Sequence, residues 1–362
     1  MKNHLLVATA LTALAGSIQL VNAQSTVQVY GILDAIVSYS KGEQSKTALR
    51  TGDLMAPRIG FKGSEAVAPD LKVNFALEGA VAHDTGMGGA SNTNNQASGV
   101  VAAGGLTFNR QSWVGVESSW GELRLGRNFN PTYRQYVTYD PFMGGGMGAS
   151  QAAVSSLATY EHSPAGLRHS NAIEYWLPSR QALTGQFMYA MGENSSGAAN
   201  SSDGNYLGGR LAYQWGDWNL GIAAGKMRNT AKQDIKELVL GGRYRLGNGT
   251  ISAMYTRSET GVGMEQSGWL LGTTWRVQQM EYRASISTSQ TENAASQSVG
   301  RSQKLAAVAA YHLSKRSSVY VAGAYVRNKD GACSAPLGAL TAVEVGTNHN
   351  ASTLAVGLTH TF

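Results

Sequence analysis

Cysteine is all but missing from this chain: Cys333 is the single one among 362 residues. No internal disulfide framework can therefore be built, and Cys333, in the polar stretch NKDGACSAPLG, reads as incidental. Long hydrophobic runs are missing too. Beyond the first 23 residues nothing approaches the ~20 consecutive apolar residues that a membrane helix needs. Hydropathy alone thus describes a soluble exported protein. Charge of one sign is not concentrated anywhere. The formal net charge is +6, with no dense Lys/Arg run and no basic–aromatic interleaving of the kind nucleic-acid sites need. The 7 histidines are scattered, with no pair at metal-ligand spacing. No metal or other cofactor is expected. Proline is sparse, at 7 residues, whereas glycine is frequent, at 44.

What is present begins at the N-terminus. MKNHLLVATALTALAGSIQLVNA opens with Lys2 and His4, continues with a short apolar centre, and closes on Val21-Asn22-Ala23. A basic start, an apolar middle and small residues before a cleavage point describe a secretory signal peptide. Residues 1–23 are expected to be removed, leaving 24–362 as one domain.

Period two dominates that domain. LKVNFALE sets Leu71, Val73, Phe75 and Leu77 against Lys72, Asn74 and Glu78. ELVLGGRYRL sets Leu238, Leu240, Tyr244 and Leu246 against Glu237, Arg243 and Arg245. WLLGTTWR sets Trp269, Leu271 and Trp275 against Thr274 and Arg276, and KLAAVAAYHL sets Leu305, Ala307, Ala309 and Tyr311 against Lys304 and His312. Such alternation is the signature of strands. Tight connections (67–70, 120–122, 215–218, 246–249, 313–318) largely alternate with long polar ones (84–107, 130–167, 193–204, 259–266, 291–302, 328–351). About sixteen strands can be marked, with short turns at one end and long loops at the other, which is how outer-membrane barrels are organised. A soluble sandwich would not sort its loops by length so regularly.

The two faces then acquire roles. One meets lipid and the other water, so Lys72, Glu78, Arg243, Arg245 and Arg276 are lumenal. Trp120, Trp215, Trp218, Trp275 and the pair Tyr175-Trp176 sit beside turns, where an aromatic belt belongs at headgroup level. The sequence ends in LAVGLTHTF, inside a strand pattern. Because a bilayer cannot satisfy an open sheet edge, this segment is expected to pair with TVQVYGILDAIVSYS near Val27. Phe362 would then sit at the membrane boundary.

TVQVYGILDAIV, RIGFKGSEAVAPDLKVNFALE, RQSWVGVESSWGELRLGRNFNP, RHSNAIEYW and the final GLTHTF, in this order, resemble the general diffusion porins of Gram-negative outer membranes, in particular the beta-proteobacterial trimeric group. The likeness runs from about residue 24 to 362. It implies an all-β fold: a 16-stranded antiparallel transmembrane barrel, with three barrels per assembly and a long third loop folded into each lumen. It also implies recognition of a terminal aromatic, here Phe362, by the barrel-assembly machinery.

A porin has no reaction chemistry; its mechanism is a narrowed aqueous passage with charged walls. Segment 130–167 stands at the position of the family's constriction loop, and Gly144 to Gly148 give it backbone freedom. That glycine run is no phosphate loop, because no Lys-Ser/Thr follows it. The resemblance aligns Arg58, Arg110 and Arg168 with the constriction arginines. By parity Lys62 shares the side of Arg58, Arg110 alternates against Trp113, and Arg124 points inward. Arg127 matches the family as well, but its face is ambiguous. The acidic side is thin. Only Asp140 and Glu161 fall within 130–167, where DPFMGGG replaces a Pro-Glu-Phe-Gly-like stretch, and Asp34 on the first strand could add one charge. A lumen of several arginines and few carboxylates attracts anions.

The leading expectation is an outer-membrane pore for passive diffusion of small hydrophilic solutes, preferring inorganic anions, embedded in outer-membrane lipid as a homotrimer. Nucleic acid is not among its expected partners. A substrate-specific channel, for phosphate or an organic acid, would need further basic or aromatic tracks along the lumen. A barrel enzyme or adhesin would need an outward catalytic set or a plugged lumen. His169-Ser170-Asn171 has the residue types of a hydrolase set, but strand neighbours point to opposite faces.

Overall fold

The computed structural model describes residues 25–150, 166–178 and 182–362. The expected signal peptide and the 151–165 part of the long loop, Glu161 included, lie outside them. Sixteen barrel strands follow one another: β1 (Thr26–Lys41), β2 in two pieces (Ser45–Thr51 and Arg58–Ala68), β3 (Leu71–Ala82), β4 (Gln111–Ser118), β5 (Gly121–Phe129), β6 (Arg168–Trp176), β7 (Leu183–Ala190) and β8 (Tyr206–Trp215). Then come β9 (Trp218–Met227), β10 (Ile235–Leu246), β11 (Gly249–Thr260), β12 (Glu265–Val277), β13 (Met280–Glu292), β14 (Ser298–His312), β15 (Ser317–Lys329) and β16 (Ala351–Thr361).

Each strand pairs antiparallel with its neighbours in sequence, and β16 pairs back onto β1, from Ile32 opposite Thr361 to Lys41 opposite Ser352. The cylinder is closed. Gly31 and Phe362 complete the seam by exchanging both backbone hydrogen bonds at 3.1 Å. The Phe362 ring lies directly on Gly31, where a side chain would collide with it. Glycine at 31 is what lets the aromatic fold onto the seam.

The other edge of β1 is divided. Thr26–Ile32 pairs with Arg58–Ser64, and Ala35–Lys41 pairs with Ser45–Thr51. Segment 52–57 leaves the ladder between them. Its backbone donors are met by Asp34, whose Oδ2 accepts from the N–H groups of Asp53, Leu54 and Met55 at 2.8–3.0 Å.

Strand alternation sorts the side chains as period two requires. On β16, Leu354, Val356 and Leu358 are exposed while Thr353, Ala355 and Thr359 are buried. On β13, Tyr282 and Ile286 are exposed while Ser285, Ser287 and Ser289 are buried. An apolar outer face around a polar inner one is the reverse of a soluble core and suits a lipid surround. Trp120, Trp215, Trp218 and Trp275 are exposed at the short-turn end. Trp176 differs from its expected place, because parity turns Tyr175 outward and Trp176 inward, where its ring packs against the Arg124 guanidinium at 4.5 Å.

Helix α1 (Pro131–Tyr139) follows β5. Asn130 caps it by accepting from the Tyr133 N–H at 2.8 Å, and proline occupies its first turn. Tyr133, Tyr136 and Tyr139 pack on Ala223, Val239, Met254 and Leu270, which alternate with the exposed apolar belt. After α1 the chain passes Gly272 with Pro141. Phe142 and Met147 then pack on Ile36, Ala306, Val308, Tyr320 and Ala355. Gly146, at φ +64°, meets the Asp53 carbonyl closely, and the Met147 N–H donates to Asp53 Oδ1 at 3.1 Å. Segment 131–150 thus follows the inward-facing side chains of β8–β12 and β14–β16 round to β1.

The seam generates a test. Gly31→Leu should crowd Phe362 and lower the yield of closed barrel several-fold, read as loss of heat-modifiable migration on gels. Gly300→Leu, where an added carbon meets nothing closer than 3.9 Å, should assemble normally. Equal yields for the two would contradict this account of Phe362.

Candidate functional site

Strands β2–β6, which segment 131–150 meets chiefly through Tyr133 and Arg134 of α1, carry an arginine group. Arg58 projects from the start of the second piece of β2, and Arg110 stands just before β4. They meet on one carboxylate of β3: Glu78 Oε1 accepts from Arg110 Nε at 2.7 Å and lies 3.8 Å from Arg58 Nη1. Its other oxygen accepts from the Tyr30 hydroxyl at 2.9 Å. Arg168, at the start of β6, has its guanidinium 4.1 Å from the centre of the Phe129 ring. The same ring is approached by Arg110 at 5.8 Å and by Arg134 of α1 at 5.6 Å. A π-face attracts cations without neutralising them, so three like charges gather around one aromatic.

Trp113 departs from expectation. Regular β4 begins only at Gln111, so the alternation cannot be extended back to Arg110. Both Arg110 and Trp113 turn inward, and the Trp113 ring lies 4.0 Å from the Arg124 guanidinium. Arg124 belongs to a different level. It is opposite Gly115, four positions along β4 from Gln111, roughly 13 Å at strand rise. Its Nη2 is held by Glu122 at 2.5 Å. Lys62 shares the side of Arg58 and sits over the Tyr30 ring, 5.3 Å from its centre.

The two carboxylates expected to face the arginines are not open charges. Asp34 is fully buried, holding segment 53–55 with one oxygen and accepting from the Tyr320 hydroxyl at 2.7 Å with the other. Buried carboxylates need such partners, and Asp34 spends its acceptors on fastening the wall. Asp140 is buried within its own loop, accepting from the backbone N–H groups of Phe142 at 2.9 Å and Ser150 at 2.7 Å. Burial pushes its carboxyl up from the ordinary range, an effect those hydrogen bonds and the Lys304 charge reduce. Lys304 donates to the Ala149 carbonyl. Asp34 and Asp140 are struts, not pore-wall charges.

Arg127 is walled in by the 83–110 connection, donating from Nε to the Asn109 carbonyl at 2.7 Å and from Nη1 to Ser170 Oγ at 2.9 Å. Ser170 Oγ in turn donates to the Asn92 carbonyl, and the His169 ring stacks on Tyr206 at 4.1 Å. Among the described residues, no group of three or more His, Cys, Asp or Glu could hold a metal ion.

Three features escaped sequence reasoning. Glu78 was legible as inward but not as the shared partner of Arg58 and Arg110. Counting back from the Pro69–Asp70 turn would put Arg58 opposite Val81; a register shift between Ala66 and Ala68 moves it to Ala80, one inward step from Glu78, and the spacing does not encode that shift. Phe129 and Arg134 gave no signal, because α1 sits in a stretch without alternation. Arg210, Arg243 and Arg245 line one cavity of about 260 Å³ with Thr138, Thr184 and Asn219, and nothing local to β8 or β10 announces their convergence.

The likenesses to known proteins agree with this geometry. A family model described as Gram-negative porin matches residues 7–331. Outer membrane porin protein 32 of Delftia acidovorans is 27% identical over 335 residues, covering 90% of each chain. An outer membrane porin protein of Bordetella pertussis is 25% identical over 293 residues, 72% of this chain and 70% of that one. Among solved structures, an anion-selective porin from Comamonas acidovorans superposes with a TM-score of 0.77 at 26% identity, over 94% of this chain and 100% of the other. OmpT of Vibrio cholerae in its trimer form shares the fold at 14% identity, with a TM-score of 0.65 over 93% and 99% of the two chains. Matched by the family model over most of its length and carrying the family's closed sixteen-stranded barrel, this chain belongs to the Gram-negative porins of the outer membrane.

Proposed function

We propose that this porin passes ions and small hydrophilic solutes passively, with a preference for anions set at the level of Arg58, Arg110 and Arg168. One observation carries the reading: three arginines converge on the wall of β2–β6, and a single carboxylate, Glu78, answers two of them. Confined between low-dielectric walls, each uncompensated charge acts more strongly than on an open surface. Residues 130–167 are the constriction loop in this reading, and its described part, 131–150, narrows the passage from the side of β8–β12 and β14–β16. Lys62, opposite Ala76, and Arg124, opposite Gly115, extend the positive wall from that level toward the short-turn end. The anion-selective porin of Comamonas acidovorans, alike over nearly the whole chain, supports the same sign of preference. In this reading the protein acts as a channel and not as an enzyme.

Three barrels assemble through the outward face of β14 and β15, where Ala307, Ala309 and Gly323 are small enough for close protein contact. The OmpT trimer supports this stoichiometry. Residues 1–23 direct export, and Phe362 is the aromatic read by the barrel-assembly machinery.

Planar-bilayer reversal potentials in a potassium chloride gradient test the preference. The native channel should favour chloride, less so at high salt, where screening shortens the field. Replacing Arg58, Arg110 and Arg168 together by glutamine should move the reversal potential toward the potassium value while heat-modifiable migration persists. Removal of each charge alters the local field by about 1 kcal/mol or more, so the permeability ratio should change several-fold. A cation-preferring native channel, or an unmoved triple variant, contradicts the assignment.

Glu78→Gln should act in the opposite direction. Two guanidiniums lose their shared anion, and chloride should gain over potassium in the same measurement. A shift toward potassium would mean that Glu78 serves chiefly to hold the arginines in place. For the assembly, Ala307→Trp with Gly323→Trp should convert a trimer to monomers in mild detergent, read by sedimentation. A native protein that sediments as a monomer would refute the trimer directly.

A further inference from the structure

Arg210, Arg243 and Arg245 lie apart from the group just described. Arg210 comes from β8 and the other two from successive inward positions of β10, about 7 Å apart at strand rise. They converge below α1 toward the short-turn end, on the cavity of about 260 Å³ that Thr138, Thr184 and Asn219 also line. Most of the other inward arginines have an anion: Arg58 and Arg110 share Glu78, Arg124 has Glu122, and Arg276 and Arg283 share Glu281. Arg210, Arg243 and Arg245 form no ion pair with any described carboxylate. Asp217 is the one acidic residue on the cavity wall.

Two of the three are nevertheless positioned. Arg210 Nε donates to Gln135 Oε1 of α1 at 3.2 Å. The Arg243 guanidinium lies 5.8 Å from the centre of the Tyr139 ring, and Tyr139 is itself tied to Asn219 by a 2.8 Å hydrogen bond. Helix α1 thus orients two guanidiniums with neutral contacts and leaves their charges unspent. Most of their N–H groups remain available, flanked by threonine hydroxyls and the Asn219 amide. Guanidinium forks are matched in shape and charge by carboxylate and phosphate oxygens. A second arginine within about 7 Å favours a molecule that carries two negative charges over one that carries one.

We infer that Arg210, Arg243 and Arg245 form a binding site for small, doubly charged oxyanions, a dicarboxylate or a phosphate, on the short-turn side of the constriction. The inference rests on the reading of the chain as an anion-preferring pore and deepens it. The upper arginines select by sign, and the lower three retain by valence. Across the short-turn end, Asp70, Glu117 and Glu122 line a separate depression with Lys72 and Arg124. The positive and the mixed walls therefore stand on different strands, and a dianion is drawn to β8–β10.

Chloride current through the native trimer in planar bilayers is the readout, with succinate, hydrogenphosphate or acetate added as the probe. Succinate or hydrogenphosphate should reduce the current at concentrations where acetate does not. Which of the two acts more strongly identifies the oxyanion class. In Arg210→Gln/Arg243→Gln/Arg245→Gln the half-blocking concentration should rise roughly tenfold or more, as loss of a charge-assisted pair requires. If that variant fails to assemble, Arg243→Gln and Arg245→Gln singly should each weaken block. Arg243→Lys should restore only part, since it returns charge without the fork. The Arg58/Arg110/Arg168 variant should keep its succinate block while its potassium chloride reversal potential moves, so the two assignments fail separately. Absence of block by either dianion, equal block by acetate, or block unchanged in the lower-arginine variants would overturn the site.

Discussion

Everything in this structure depends on a backbone that water cannot reach. Within hydrocarbon an unpaired N–H or C=O costs several kcal/mol, so a sheet that crosses a membrane has to close. The seam between β1 and β16, finished by the paired Gly31 and Phe362, meets that demand. Closure in turn fixes inside and outside for every residue of every strand. A polar inner wall follows, together with a row of loops that can be long only where they meet water. β1 shows how strict the demand is. Its second edge is shared by two separate pieces of β2, and where they part, the Asp34 carboxylate supplies the hydrogen bonds that a neighbouring strand would have made.

The barrel was legible in the sequence because parity is a local property. On β10, β12 and β14 the alternation of Leu238, Trp269 or Leu305 with its polar neighbours reads directly as outward and inward. The same rule failed where strands begin or bend. Arg110 precedes the regular part of β4, so counting from it turned Trp113 the wrong way. At β6 the register shifts between His169 and Ala172. Asp34 was legible as inward, yet its burial depends on segment 52–57 folding over it, and no spacing encodes that contact. The convergence of Arg210 with Arg243 and Arg245 is likewise a property of three strands and a helix together.

Arginine recurs on the inner wall for a reason that lysine could not satisfy. A flat guanidinium can lie on an aromatic face and still present its edge to an anion. Phe129 faces three such groups, and Arg124 lies between Trp113 and Trp176. Carboxylates are used sparingly, with Glu78 serving two arginines and Glu281 two more. Positive potential therefore survives inside a wall that is nonetheless well packed.

The stretch between α1 and Ser150 is fastened on both sides of the ring: Tyr139 to Asn219 on β9, and Met147 to Asp53 beside β1. Between these ties Asp140 stitches the loop to itself, and Lys304 holds Ala149 to β14. A stretch pinned at such intervals has few soft modes, so thermal motion along residues 139–150 should be confined to side chains on the picosecond-to-nanosecond scale. Seen as an electrical element, a pore bounded by this stretch would be a resistor of nearly constant value. Its open-state current would carry little low-frequency flicker, with permeation averaged over a fixed cross-section instead of being timed by a moving gate.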